Sequence, residues 1–455
     1  SLAVSGPAAG LALIVLDGIQ DLGYAPFLVA VFLCGAMQLA LGLARAGVIV
    51  YYFPNAVIKG LLAAIGAILI RKELPHAFGW ADGVSTKVYG GEMPFDQVME
   101  QFQGGAMIVA FAGLLCMIVW PMLTRGKKLE TIPAALLVVA LGIVLNLVYS
   151  AAAPSLVLDG ERLVTVPTIT SWADYRAMLP APDWSVISNG AVWTTAAVLA
   201  VIASIETLLS VEAIDKLDPW RRKTPASREL SAQGVGNMVA GYLGGIPMTA
   251  VIVRGSANVH SGGRTKKSAF FHAVLLVLAV LLIPNILGMI PVAALGAVLL
   301  FIGYRLMPIP LFKKMWGRGM QQFAPFIATF TAILLTDLMI GTFIGLGVGL
   351  LFVAGRVGMG KLAQHMKSPY ALEKSGDKEV RITLGENLTF LNKARVTKGL
   401  EEISEGSRVV IDASASSYVD RDVLDIIEDY RVAAKNNNVT VELAGMDKHG
   451  LSADA

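Results

Sequence analysis

Nine apolar stretches, 24–43, 55–70, 104–123, 132–149, 190–211, 268–284, 290–307, 322–339 and 340–356, dominate this chain of 455 residues. A helix of about twenty such residues is what crosses the hydrocarbon of a bilayer. In lipid every backbone N–H and C=O must be paired inside the spanning structure, so a chain built this way folds as a bundle of transmembrane helices. A tenth stretch, 229–243, is weaker and rich in glycine. Charged residues make up 16% of the chain, well under the roughly one quarter of an ordinary soluble protein. The net charge of +3 is too small to point to nucleic acid. Cys34 and Cys116 sit in apolar runs and read as buried thiols. The five histidines, His76, His260, His272, His365 and His449, show no metal-ligand spacing, and no catalytic constellation stands out, so neither a metal nor an enzyme is expected.

Two pieces are too short to span. One is "PAAGLALIVLD" at 7–17; the other is 248–259, inside "GGIPMTAVIVRGSANVHSGG". With them the chain holds about twelve helical segments. Each short piece has a partner downstream: Pro54 follows Pro7 by 47 residues, and Pro291 follows Pro247 by 44. In both later spans a glycine, Gly66 or Gly303, lies twelve residues past the proline. Gly/Pro-interrupted segments at corresponding positions of two halves point to the binding site of an inverted-repeat transporter. A helix that begins at mid-membrane leaves its first N–H groups without partners, and those donors, with the positive end of the helix dipole, can hold an anion. Proline is expected at the first turn, where its missing N–H costs nothing. Small residues such as Ala8, Ala9, Thr249 and Ala250 would let a ligand reach the backbone.

The loops 124–131, 215–229, 262–268, 304–319 and 355–367 are basic, whereas 15–24, 74–103 and 151–186 are neutral or acidic. Threading the spans puts nearly all the basic loops on one face, the cytoplasm, with Arg71 and Lys72 as exceptions. After about residue 368 the pattern changes to short β-branched runs alternating with helical ones, which predicts a small α/β domain on that face. The domains are therefore expected at 1–367, in the membrane, and 368–455, in the cytoplasm. The opening "SLAVSGPAAG" has neither a Met nor a signal-peptide pattern and is expected to lie partway through a domain. Glu206 lies deep in "AVLAVIASIETLLSV", where a carboxylate is a functional candidate by default. Arg254 has two readings, one at the site and one snorkelling to the headgroups.

"VSGPAAGL" (4–11), "SIETLLSVEAIDKL" (204–217) and "GGIPMTAVIVRGSANVHSGGRTKKSA" (244–269) together resemble the SulP, or sulfate permease, family, and 368–455 resembles that family's STAS domain. The resemblance implies an α-helical polytopic membrane protein with a seven-plus-seven inverted repeat, here with about twelve of fourteen segments and without the first two. It implies a secondary active transporter of a small inorganic anion, bicarbonate or sulfate first, working by an elevator-like movement of a core against a gate. Residue by residue, Ser5, Gly6, Pro7, Ala8 and Ala9 match the anion-facing start of one helix. Thr249, Ala250, Val251 and Ile252 match that of the other, and Arg254 matches a basic residue beside it. Glu206 and Ser210 match positions that hold a coupling ion, Na+ or H+, in some members, so symport is expected, with no other cofactor. A homodimer in the inner (plasma) membrane, and association with a carbonic anhydrase, are the partners implied. In the STAS-like part, Asp420-Arg421-Asp422-Val423 stands where related domains carry a phosphorylatable serine, so a phosphoswitch is not expected. The rival readings are a nucleobase or small organic anion permease of the same fold, and a non-transporting scaffold acting through 370–455.

Overall fold

The computed structural model describes residues 1–7, 11–80, 97–98, 101–127, 129, 132–166, 171–220, 222–336, 338–358, 370–374, 379–404, 406–434 and 438–449. Twelve helices answer to the twelve segments read from the sequence. They are α1 (Ala12–Leu22), α2 (Tyr24–Leu43), α3 (Asn55–Phe78), α4 (Gly104–Thr124), α5 (Ala134–Ala152) and α6 (Gly190–Leu217), followed by α7 (Ala226–Leu243), α8 (Ile252–His260), α9 (Lys267–Leu282), α10 (Val292–Leu306), α11 (Met320–Leu335) and α12 (Leu338–Val357). Among the described residues, five helical stretches are long and apolar enough to cross a membrane outright: 24–43, 104–124, 134–152, 190–215 and 292–317. α1 and α8 are the two short ones, at 11 and 9 residues.

The chain divides into two compact units. The first comprises 1–61, 179–266 and 315–455. Within it α2 and α7 cross at backbone distance, because glycines face each other. A Cβ on Gly35 would meet the Gly234 carbonyl at 2.5 Å, and one on Gly234 would meet the Leu39 nitrogen at 2.5 Å. The glycines that made 229–243 look weak as a span are therefore its packing surface. Phe27, Val31 and Cys34 of α2 pack with Leu199, Ala200 and Ala203 of α6 in one buried apolar cluster.

The second unit comprises 62–178 and 267–314. Its core gathers Val109, Ala110 and Met117 of α4, Val138 of α5, and Ala293, Ala294 and Ala297 of α10. Here the internal repeat closes on itself. A Cβ on Gly66 would lie 2.6 Å from the Gly303 carbonyl, and one on Gly303 would lie 2.9 Å from the Gly66 carbonyl. The two glycines at matching places in the repeat thus pack against each other. The repeat is also in register at helix starts: α3 and α10 each begin at the residue after the repeat's second proline, Pro54 or Pro291.

Residues 370–449, in the first unit, have a core of their own. A four-stranded sheet runs β3 (Tyr370–Lys374), β4 (Glu379–Leu384), β6 (Arg408–Asp412), β8 (Thr440–Ala444); β3 pairs antiparallel with β4, and the other pairings are parallel. β5 (Asn387–Leu388) and β7 (Tyr418–Val419) form a short parallel pair. Val380, Ile382 and Leu384 alternate inward along β4, as a half-buried strand requires. They join Val396 and Leu400 of α13 (Lys393–Glu401) and Val423, Leu424 and Ile427 of α14 (Arg421–Ala434).

This part meets the helices through buried charge. Asp422 Oδ2 accepts a hydrogen bond at 2.7 Å from the backbone N–H of Asn55, the first residue of α3. Lys393, 1% exposed, donates from Nζ to the Phe53 carbonyl at 3.0 Å and to Asn55 Oδ1 at 3.2 Å. Its ammonium lies 3.8 Å from Asp422 and 3.9 Å from Glu212 of α6. Gln322 of α11 donates to Asp420 at 3.2 Å and to Asp422 at 3.4 Å.

Candidate functional site

Both broken stretches come together. Ser5–Gly6 forms β1 and Thr249–Ala250 forms β2, paired antiparallel with Ser5 opposite Ala250 and Gly6 opposite Thr249. The Val251 N–H extends the ladder to the Val4 carbonyl at 3.0 Å. β2 leads through Val251 into α8, so the start of α8 belongs to this crossing.

One expectation is corrected. Pro247 does not occupy the first helical turn: α8 begins at Ile252, five residues past it, while residues 8–10, between Pro7 and α1, lie outside the described residues. The residue before a proline is driven toward extended backbone, so proline here marks the approach to the helix. The helix N-terminus is set by the return from strand to helix, at Val251 for α8. Val251 is extended and supplies no side-chain cap. The first intrahelical bond of α8 runs from the Gly255 N–H to the Val251 carbonyl at 2.9 Å. The amides of Ile252, Val253 and Arg254 precede it and are left over for a ligand.

Arg254 sits at the crossing. A Cβ added to Gly6 would run into its guanidinium, so glycine at position 6 is what gives Arg254 its place. Among the described residues Arg254 makes no ion pair, which leaves a cationic fork beside three helix-start amides. Thr249 is fully buried, Gly6 is buried, Ser5, Val251, Ile252 and Arg254 are half-buried, and Pro7 is exposed. Ala8 and Ala9 lie outside the described residues.

Glu206 and Ser210 lie one turn apart on α6 and are both buried, at 9% and 3% exposure. The Glu206 Oε2 has no hydrogen-bond partner. It faces a small cavity lined by Leu61, Ile202, Leu209, Thr342 and Phe343, to which Ser210 does not contribute. Thr207, also on α6, bonds to the crossing: its Oγ1 accepts from the Ala250 N–H at 3.3 Å. Among the described residues no His, Cys, Asp and Glu cluster could hold a metal.

Sequence reading missed four polar residues around the crossing: Gln38 of α2, Thr207, and Gln233 and Asn237 of α7. All are buried at 4% exposure or less. The signal was present: three amides and a hydroxyl inside mostly apolar or glycine-rich segments, where an unpaired polar group is costly.

A polytopic helical protein whose inverted repeat brings two half-helices to one crossing belongs to the class of inverted-repeat transporters. The model of the sulfate permease family matches residues 2–331, and the chain belongs to that family. This is a permease family, and the relatives found are named as transporters, not as enzymes. YvdB of Bacillus subtilis (strain 168) is 24% identical over 391 residues, covering 85% of this chain and 70% of its own length. The bicarbonate transporter BicA of Picosynechococcus is 26% identical over 369 residues, covering 80% of this chain and 61% of its own length. Among solved structures, the transmembrane domain of a cyanobacterial BicA superposes with a TM-score of 0.58 at 21% identity, covering 77% of this chain and 84% of that one.

Proposed function

We propose that this protein is a secondary active transporter of a small inorganic anion, with bicarbonate and sulfate as the first candidates. The anion is held between residues 5–9 and the start of α8, by the amides of Ile252, Val253 and Arg254 and by the Arg254 guanidinium. The observation that carries this reading is the pairing of β1 with β2, which sets Arg254, with no ion pair among the described residues, against Gly6 at the start of α8. Helix-start amides and a planar guanidinium suit an oxyanion.

Transport proceeds by elevator-like movement of a core that carries both half-helices; support comes from the fact that both lie within one compact unit. Glu206 balances charge or takes the coupling H+, a role supported by its burial and its unpartnered oxygen. A sodium site at Glu206 and Ser210 is the less supported form, since Ser210 does not line the cavity that Glu206 faces. The C-terminal α/β part reads as a STAS domain on the cytoplasmic face of the inner membrane, following the basic loops.

The test is uptake into proteoliposomes of radiolabelled bicarbonate, sulfate, chloride and fumarate. Saturable uptake of bicarbonate or sulfate is expected, and uptake of none of the four would refute the reading. Glu206→Gln is expected to lose its response to a pH or sodium gradient while still exchanging anion. Coupling at the wild-type level in that variant would remove Glu206 from the mechanism.

A further inference from the structure

Helix α7 carries two buried amide side chains one turn apart, and each reaches a different strand of the crossing. Gln233 donates from Nε2 to the hydroxyl of Ser5 in β1. Asn237 grips the residue that leads into β2: its Oδ1 accepts from the Met248 N–H at 2.6 Å, and its Nδ2 donates to the Met248 carbonyl at 3.0 Å. A side-chain amide here does what a neighbouring strand would do. The network continues inward. Asn237 Nδ2 also donates to Gln38 Oε1 of α2 at 2.7 Å, and Gln38 Nε2 donates to Ser204 Oγ of α6 at 3.4 Å. Gln38 and Asn237 are fully buried and Gln233 is 4% exposed.

Three features make this more than core satisfaction. Both grips come from the same face of one helix, which is itself fixed against α2 by the glycine crossing. Both act on backbone or side chain within two residues of the strand pair. And both are neutral: a carboxylate in their place would repel an anion at Arg254, and an ammonium would compete for it. A buried amide network with its donors and acceptors paired holds one geometry, because each alternative strands a polar group.

We propose that Gln233 and Asn237 are positioning residues of the anion site, setting the register and separation of β1 and β2 so that the α8 amides and Arg254 converge on one ion. The inference rests on the transport reading above.

It is tested in proteoliposomes with radiolabelled bicarbonate and sulfate, comparing wild type with Gln233→Met, Ser5→Ala, the double variant and Asn237→Asp. Gln233→Met keeps the side chain's volume and removes its amide, and with it the bonds to Ser5 and to the Glu229 carboxylate. It is expected to raise KM about tenfold, the scale of one buried hydrogen bond, with a smaller change in kcat. If Gln233 acts through Ser5, the double variant has the KM of Ser5→Ala alone. Asn237→Asp keeps the acceptor for the Met248 N–H, loses the donor and adds charge, and is expected to raise KM further. Wild-type KM in a folded Gln233→Met, even with a lowered Tm, overturns the proposal and leaves the amides as scaffold. Additive effects in the double variant overturn it as well. Absence of uptake by wild type is a different result: it refutes the transport reading and takes the positioning role with it.

Discussion

Two regions of the first unit bury polar groups among apolar helices, and they do so by opposite means. At the crossing of β1 and β2, the groups that bond to the strands are mostly neutral: backbone amides, Thr207, Gln233 and Asn237, with the Arg254 guanidinium against Gly6 and the Glu229 carboxylate bonded to Gln233. Where residues 370–449 meet the helices, charge is dense and compensated. Lys393 lies between Asp422 and Glu212, and Asp422 caps the first amide of α3. Arg356 stacks 3.8 Å over the ring of Tyr418, whose hydroxyl donates to Gln321 at 2.7 Å. The difference is instructive. On the proposed reading, a site that an ion must enter and leave keeps its own charges few and its donors unspent. A contact meant to persist matches each buried charge with a partner, since an unpaired one is strongly destabilising.

The comparison can be broken from either side, and the largest effect is expected at the crossing. Gly6→Leu puts a side chain where the Arg254 guanidinium lies, so anion uptake should fall to background in a protein that still purifies as a single species. Uptake near wild type would mean that Arg254 is not held there. Next comes the contact of residues 370–449. Lys393→Met removes the ammonium beside Asp422 and Glu212 and should cost about 3–5 kcal/mol, read as a lowered Tm and as proteolytic release of the C-terminal part. Unchanged protease resistance would show that Lys393 does not hold this contact.

A smaller effect is expected from pH. Burial, with Asp422 beside it, raises the Asp420 carboxyl to about 7. Its protonated form is thus favoured in the docked protein. The docked state gains stability as pH falls from 8 through 7, keeps the full gain below the ordinary aspartate range near 3.8, and loses it as pH rises. Asp420→Asn should flatten the dependence of Tm on pH between 6 and 8, values chosen to bracket that titration, and an unflattened curve would place the titrating group elsewhere. The smallest effect belongs to Thr207→Val, which removes one acceptor from the Ala250 amide and should lower Tm by the equivalent of about 1 kcal/mol.

Much of this was legible in the residues, for physical reasons that differ between the regions. The apolar runs fixed the helices closely because length and hydropathy leave lipid-spanning segments little choice; 24–43, for instance, is α2 to the residue. The half-helix pair was readable from Gly6-Pro7 and Ile246-Pro247, since few residues break a chain inside a membrane. The exact helix starts were not, because proline constrains the residue before it more than it names the next N-cap. Gln233 and Asn237 were hidden in a segment that polarity and glycine made look like a poor span. Lys393 and Asp422 were hidden differently: in "NKARVTKG" and "DRDV" they look like the solvated faces of surface helices, and only tertiary contact turns them inward. Their burial gives the Asp420–Val423 stretch a contact with Asn55 and Gln322.

The most direct test of the crossing as the anion site is a structure of the protein in lipid nanodiscs with selenate, a heavy-atom stand-in for sulfate, or with bicarbonate if uptake selects it. The account predicts density within hydrogen-bonding reach of the Ile252–Arg254 amides and the Arg254 guanidinium, on the side facing Ser5 and Gly6. Density elsewhere, with the crossing empty in a protein that transports the same anion, would contradict it.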